Sequence, residues 1–308
     1  MEAITEKPAI DLCMEQIAER RLPAGGFSEQ LHGLYRPDST AWAAMALARS
    51  EKHVSSAESA RSVLATNQLK DGRVVLSGSR DAFWPTPIAV LAWHGAGQYD
   101  QAKNRALDFL LETSGRHWPF DPKIPVAHDP SIKGWPWIGE THSFIDPTAM
   151  ALLALEITGR SGHARFGEAI RMCVNRQLPH GGWNYGNTLV YGAELHPFVE
   201  TTGIALAALA GHVPKEKISG SLGYLKAQAE KCRTPLSLAW ALFGLGAWGE
   251  FPSQGLDWID ETLSKQTKYG PYGTSLLSLL ALAYLCRGDF RKCTNLPGSA
   301  GASPAQRS

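Results

Sequence analysis

The chain has 308 residues, of which 44% are hydrophobic and 19% charged, and its 30 basic and 29 acidic side chains leave a net charge of +1. This composition is that of a globular core, enough for one large or two ordinary domains, and it excludes a disordered chain. A near-neutral balance supplies no global field for nucleic acid, which is therefore not expected as a partner.

The first element in chain order is amphipathic: Ile10, Cys13, Met14 and Ile17 repeat at the three-and-four spacing of a helix buried on one side. The same signature returns at Ala60, Val63 and Leu64; at Ala102, Ala106, Phe109 and Leu110; and at Phe166, Ile170, Cys173, Val174 and Gln177. It appears again at Ile218, Leu222 and Leu225, and finally at Leu256, Ile259 and Leu263.

Between these segments runs a second, more apolar kind. Its starts are Asp38-Ser-Thr-Ala-Trp, Trp84-Pro-Thr-Pro-Ile, Asp146-Pro-Thr-Ala-Met, Glu200-Thr-Thr-Gly-Ile, Arg233-Thr-Pro-Leu-Ser and Tyr272-Gly-Thr-Ser-Leu. In the third copy every residue from Ala149 to Leu155 is apolar, leaving no face for water, yet the run is far too short to span a membrane. Asp146 reads as its N-cap and Pro147 as its first helical residue. Six one-sided helices alternating with six apolar ones predict an all-α fold, a single α6/α6 toroid over residues 1–293, with a Gly/Ser/Pro/Ala-rich disordered tail at 294–308. Thr40, Thr86, Thr148, Thr202, Thr234 and Thr274 are then expected near one end of the barrel, where parallel inner helices begin.

The connections are also informative. Gly-rich turns, among them Leu22 to Phe27, Gln68 to Gly72 and Gln177 to Trp183, follow the one-sided helices. A long connection from Ser114 to Phe144 holds Trp118, Trp135, Trp137, His117, His128, His142 and Glu140, and a second, from Asn184 to Phe198, holds Tyr185, Tyr191, Glu194 and His196. Loops this long inside compact domains are usually functional or ordered covers. The five Cys stand singly, without a CxxC pair or a Cys/His cluster at metal spacing, so no metal and no cofactor is expected and a reducing compartment is favoured. With no leader-like N-terminal pattern, the location read from the sequence is cytoplasmic.

Gln177-x-x-x-Gly181-Gly182-Trp183 resembles the QW motif of squalene cyclases and the Gly-rich repeat of protein prenyltransferase β subunits. The resemblance covers roughly residues 9 to 290 and implies the α/α toroid of the terpenoid-cyclase and prenyltransferase superfamily. Asp146-Pro147-Thr148-Ala149 is similar to the DxDDTA or DCTA motif from which class II triterpene cyclases protonate an alkene or epoxide. Asp146 holds the place of the acid, three residues before the Ala, but Phe144 stands where the first Asp would be and Pro147 replaces the Asp or Cys.

The resemblance implies a small apolar partner, an isoprenoid or similar molecule, in the central cavity, with Asp146 starting a cyclisation and peripheral membrane contact compatible with such a ligand. Trp84, Trp118, Trp135, Trp137, Phe144 and Tyr185 are the candidate substrate-binding aromatics, since aromatic faces stabilise carbocations. Asp146, Glu140, His142, Asp38 and Glu200 are the candidate catalytic groups. Asp146 has two readings: a desolvated general acid with a raised pKa, or a helix cap contributing on the order of 1 kcal/mol. Two further functions stay open, a carbohydrate-active barrel using mouth carboxylates (Asp38, Glu140, Asp146, Glu200) and a non-catalytic module retaining the repeat. Trp183 reads as a structural filler of its turn.

Overall fold

The computed structural model describes residues 8–121, 123 and 127–294. Helices alternate between two layers. The outer layer is α1 (Ala9–Ala18), α3 (Val54–Thr66), α5 (Asp100–Glu112), α7 (Ala164–Asn175), α9 (Ser219–Ala229) and α11 (Gly255–Ser264), with a short α12 (Gln266–Tyr269) after it. The inner layer is α2 (Pro37–Leu47), α4 (Thr86–Trp93), α6 (Ile145–Ile157), α8 (Val199–Leu209), α10 (Pro235–Ala247) and α13 (Thr274–Leu285). Each inner helix packs on the next, and α13 returns to α2, so the six close a ring. Among the described residues the only strands are β1 (Leu189–Val190) and β2 (Ala193–Glu194), a small hairpin in the loop before α8. No helix there is long and apolar enough to cross a membrane.

The two hydrophobic patterns sort the helices as expected. In α1 the buried residues are Ile10, Cys13, Met14 and Ile17, one stripe of the helix, whereas all eleven residues of α2 are buried. An inner helix touches neighbours on both sides and the outer layer behind, which is why it carries no polar face.

The repeated Thr is a latch between a Gly turn and an inner helix. The backbone N–H groups of Phe27, Val74, Trp135 and Trp183 donate to the hydroxyls of Thr40, Thr86, Thr148 and Thr202 at 2.9–3.0 Å. The hydroxyl of Thr274 instead donates to the carbonyl of Ser28 at 2.6 Å, joining the last hairpin to the first. Thr234 is the N-cap residue of α10, without a side-chain capping bond. Every one of these latches is buried, so each satisfies a backbone polar group that water does not reach.

Glycine is required where the turn presses on the next outer helix. Gly72 and Gly181 both have positive φ, at 93° and 97°. A Cβ at Gly72 would stand 2.1 Å from the Arg105 carbonyl oxygen, and one at Gly181 would stand 2.6 Å from the Gly220 carbonyl carbon. The Gln177 side chain completes this junction: its Nε2 and the backbone N–H of Gly182 both donate to Ser221 Oγ at 2.7 Å. Trp183 is fully buried and its indole N–H donates to the Cys173 carbonyl at 2.7 Å.

The far end of the ring is closed by a 3₁₀ turn, Phe290–Thr294. Phe290 is fully buried against Trp42, Trp240 and Phe243. Arg291 next to it makes a forked ion pair with Glu156 at 2.8–2.9 Å and donates to the Ala210 carbonyl at 3.0 Å, a cation at the negative end of α8. The tail expected over 294–308 lies outside the described residues apart from Thr294, which is buried in this turn.

Candidate functional site

The mouth of the ring is the end where the inner helices begin. Asp38, Asp146 and Glu200 are each the second residue of their helices, in the first turn of α2, α6 and α8. The N-cap assigned to Asp146 from sequence is held instead by Phe144, and Pro147 is the third helical residue. The reason is local: the Phe144 N–H pairs with the Trp135 carbonyl, at 3.0 Å, and the Ile145 N–H with the Tyr185 carbonyl, at 2.8 Å. Loop backbone therefore fixes the entry to α6, and the Asp146 side chain is free to face inward.

It faces a central cavity of about 410 Å³, within the range of roughly 300–1,000 Å³ typical of small-molecule sites. Six pairs of lining residues, each four apart, come from the six hairpins. They are Asp38 and Trp42, Trp84 and Ile88, Asp146 and Met150, Glu200 and Ile204, Leu236 and Trp240, Ser275 and Leu279. Except for Trp84, which sits in the turn just before α4, both members of each pair lie on one helix, where a spacing of four places the second residue one turn below the first on the same face. The cavity thus has an upper ring, Asp, Trp, Asp, Glu, Leu and Ser, and a lower ring, Trp, Ile, Met, Ile, Trp and Leu. The upper ring carries every carboxylate; the lower one is apolar throughout. Trp137, Pro147, Tyr185 and Leu276 complete the wall.

The three acids differ in their company. Asp38 is clamped by Arg36, whose Nε and Nη2 reach its two oxygens at 2.9 and 2.7 Å. Glu200 accepts from Ser237 Oγ at 2.7 Å. Asp146 has no cation: its Oδ1 accepts from Thr201 Oγ1 at 3.1 Å, and its Oδ2 is out of contact with solvent and unpartnered. Desolvation raises its pKa to about 6; the Thr201 hydrogen bond pulls the other way, and the charge of Glu200 adds to the rise. The desolvation effect wins over the hydrogen bond, so this carboxyl holds its proton to higher pH than an ordinary aspartate, and one of its oxygens has no partner.

Of the sequence candidates, the structure gathers Asp38, Asp146, Glu200, Trp84, Trp137 and Tyr185 around this cavity. Trp84 and Trp137 stack edge to face, 5.4 Å between centroids. The others stand elsewhere. Trp135 is 1% exposed, donates its indole N–H to the Leu110 carbonyl at 2.9 Å and lies under the Arg165 guanidinium. It is the counterpart of Trp183 in the neighbouring repeat, a core residue and not a cavity residue. Glu140 is at the surface, 84% exposed and paired with Arg116. Trp118 and His142 line a separate pocket outside the ring, and Phe144 packs on the His142 ring at 4.2 Å.

Sequence reading missed the lower ring, above all Trp42 and Trp240. The available signal was the four-residue step from each start residue, Asp38 to Trp42, Asp146 to Met150 and Glu200 to Ile204, which puts them on one face.

No family model and no curated protein matches the chain. Solved structures do, at low identity. An inactive variant of the α-1,6-mannanase GH76A of Salegentibacter sp., in complex with α-1,6-mannotriose, aligns with a TM-score of 0.62 and 11% identity, covering 91% of this chain and 98% of the other. The type II terpene cyclase MstE from Scytonema, as an Asp-to-Ala variant with its product merosterolic acid A, aligns with a TM-score of 0.58 and 14% identity over 92% and 96% of the two chains. A protein from Actinoplanes aligns with a TM-score of 0.58 and 18% identity over 84% and 79%. These likenesses establish architecture: the chain is an α/α toroid, the fold shared by the type II terpene cyclase MstE and the GH76 mannanase.

Proposed function

We propose that the protein binds an apolar small molecule of the isoprenoid class in the central cavity and that Asp146 donates a proton to it. The observation that carries this reading is the pairing of a wholly apolar lower ring with an uncompensated, desolvated carboxyl one turn above it. An apolar body settles against Trp42, Ile88, Met150, Ile204, Trp240 and Leu279, and its reactive alkene or epoxide stands at the level of the Asp146 carboxyl. The proton leaves Asp146 for the substrate, and the positive charge that forms is stabilised by the faces of Trp84 and Trp137 and by the neighbouring carboxylates. Asp38, tied to Arg36, and Glu200, tied to Ser237, shape the field around that charge. The free, unbridged cysteines suit a reducing, cytoplasmic setting. The exposed Leu31, Leu34, Ile138 and Leu236, all on segments at the mouth, suit brief contact with a membrane from which an apolar ligand is collected.

A second reading rests on the three carboxylates gathered at one mouth, the kind of arrangement a glycosidase uses. It is less well supported, because a sugar carries hydroxyls on every side and the lower ring offers an almost unbroken apolar surface. The deciding experiment is native mass spectrometry of the purified chain for a co-purifying molecule, followed by incubation with linear isoprenoids and with α-linked oligosaccharides. Cyclised isoprenoid made by the wild type and not by Asp146→Asn supports the proposal. Oligosaccharide cleavage, without any isoprenoid turnover, overturns it in favour of the second reading.

A further inference from the structure

A second cavity, of about 240 Å³, lies outside the ring and shares no lining residue with the first. Arg116, Trp118, His128, Pro130, Ile132, His142, Ser143, Arg176 and Asn187 line it. Its character is opposite to that of the central cavity: four of the nine are basic side chains and none is acidic.

Arg176 is the critical group. It follows the last residue of α7 and is 4% exposed, with Nη1 donating to the Gly186 carbonyl at 2.6 Å. Its Nε is buried without a partner, and among the described residues no carboxylate forms an ion pair with it. Burying a guanidinium is costly unless it is paired and hydrogen-bonded. His128, 7% exposed, has its Nδ1 buried and equally unpartnered. Asp129 acts on both groups only through its charge, without an ion pair to either, its Oδ1 accepting from Ser131, and Glu140 pairs with Arg116. An unpartnered guanidinium nitrogen, an unpartnered imidazole nitrogen and a buried positive charge belong to side chains that border one open volume.

We propose that this peripheral pocket is a binding site for a phosphate group, held by Arg176 and His128. A phosphate dianion presents three strong acceptor oxygens, enough for the guanidinium and imidazole together with the donors of His142 and Asn187. It supplies the ion-pair contact that Arg176 does not have among the described residues. Burial and the Arg176 charge hold the pKa of His128 down to about 4 and also lower that of His142. A bound dianion reverses that influence and lets the imidazoles share its charge. Trp118, 47% exposed beside the pocket, offers a flat apolar wall to whatever carries the phosphate. His142 and Ser143 lead directly into α6, three residues before Asp146, so the pocket stands behind the wall of the central cavity.

The test is isothermal titration calorimetry of the full chain with inorganic phosphate and, separately, phenyl phosphate, at fixed ionic strength and with acetate as control. Saturable binding with a Kd tighter than about 1 mM, weakened about tenfold or more by His128→Asn and by Arg176→Gln, is the expected result. Equal affinity for the two phosphates identifies a free anion as the ligand, and tighter binding of phenyl phosphate identifies a phosphate carried on a larger molecule. If circular dichroism shows Arg176→Gln to be unfolded, His128→Asn decides alone. No saturation with either phosphate, unchanged affinity in His128→Asn, or equal binding of acetate would each overturn the site. None of these readouts involves the central cavity, so its function and this one stand or fall separately.

Discussion

Thr201 on α8 donates its hydroxyl to Asp146 Oδ1 on α6, at 3.1 Å, and leaves Oδ2 without any partner. A contact between two adjacent inner helices therefore decides which oxygen of the acid remains free. It also opposes the rise in the Asp146 pKa, because a hydrogen bond donated to the charged form favours that form. Thr201→Val should move the titration of Asp146 upward from about 6, as read by carboxyl NMR or difference infrared spectroscopy. A downward movement would mean that the hydroxyl does not act on this carboxyl.

Asp146→Asn tests the proton itself. Asn preserves the shape of the side chain and an oxygen for Thr201, so the variant should fold with an unchanged helical spectrum. Turnover on the substrate found should fall on the order of 10²–10⁴-fold. The matching changes Asp38→Asn and Glu200→Gln serve as controls in the same assay. Equal, mild losses at all three positions would show that no one acid delivers the proton.

The raised pKa has a stability counterpart. A folded-state pKa of about 6 against an ordinary 3.8 means that the native state holds its proton more tightly than the unfolded chain does. That contribution is fully present below pH 4 and is lost as pH rises through 6. The upper bound is about 3 kcal/mol. Wild type should therefore lose stability relative to Asp146→Asn between pH 4 and pH 7, as measured by denaturant melts. Turnover by the protonated acid should fall over the upper part of the same interval.

The two Trp residues of Trp135-Pro136-Trp137 should separate cleanly. Trp135→Ala and Trp183→Ala each empty a fully buried site and remove a hydrogen-bonded indole, and should cost about 3–5 kcal/mol in melting experiments. Trp137→Ala borders the central cavity and should weaken ligand binding with a much smaller change in melting temperature. A large loss of stability at Trp137 together with intact binding would reverse the two assignments.

Arg291→Met should loosen the far end of the ring. It removes the forked pair to Glu156 and the bond to the Ala210 carbonyl, a loss of about 2 kcal/mol for charge-assisted hydrogen bonds of this kind. Thermal melting checks it, with Arg291→Lys expected to recover only part of the loss because an ammonium cannot form the fork.

The repeated Thr and the hydrophobic spacing made the ring legible, since the spacing recurs in every hairpin and the Thr latch in five of the six. The start residues were harder to place. Asp146, Asp38 and Glu200 all carry the signature of a cap, but the actual boundary of α6 is set by partners from the preceding loop and from residue 185, far apart in sequence. Trp135 and Trp137 are two residues apart in one loop, and only the pairing of Trp135 with Thr148 tells which goes to the core. A clue existed: Phe27 precedes Thr40 by 13 residues and Trp135 precedes Thr148 by 13, each following a Gly. Trp42 and Trp240 were hidden for the opposite reason, because in a helix apolar all round only the four-residue step from the start residue marks the side that faces a cavity.

Phe290 and Arg291 close the ring beneath Trp42 and Trp240, so anything admitted among the six inner helices arrives and departs through the mouth. Kinetically, a product that still occupies the chamber blocks the next substrate. Product inhibition should therefore be competitive, and a release step slower than the chemistry would make kcat report departure while single-turnover measurements report bond making.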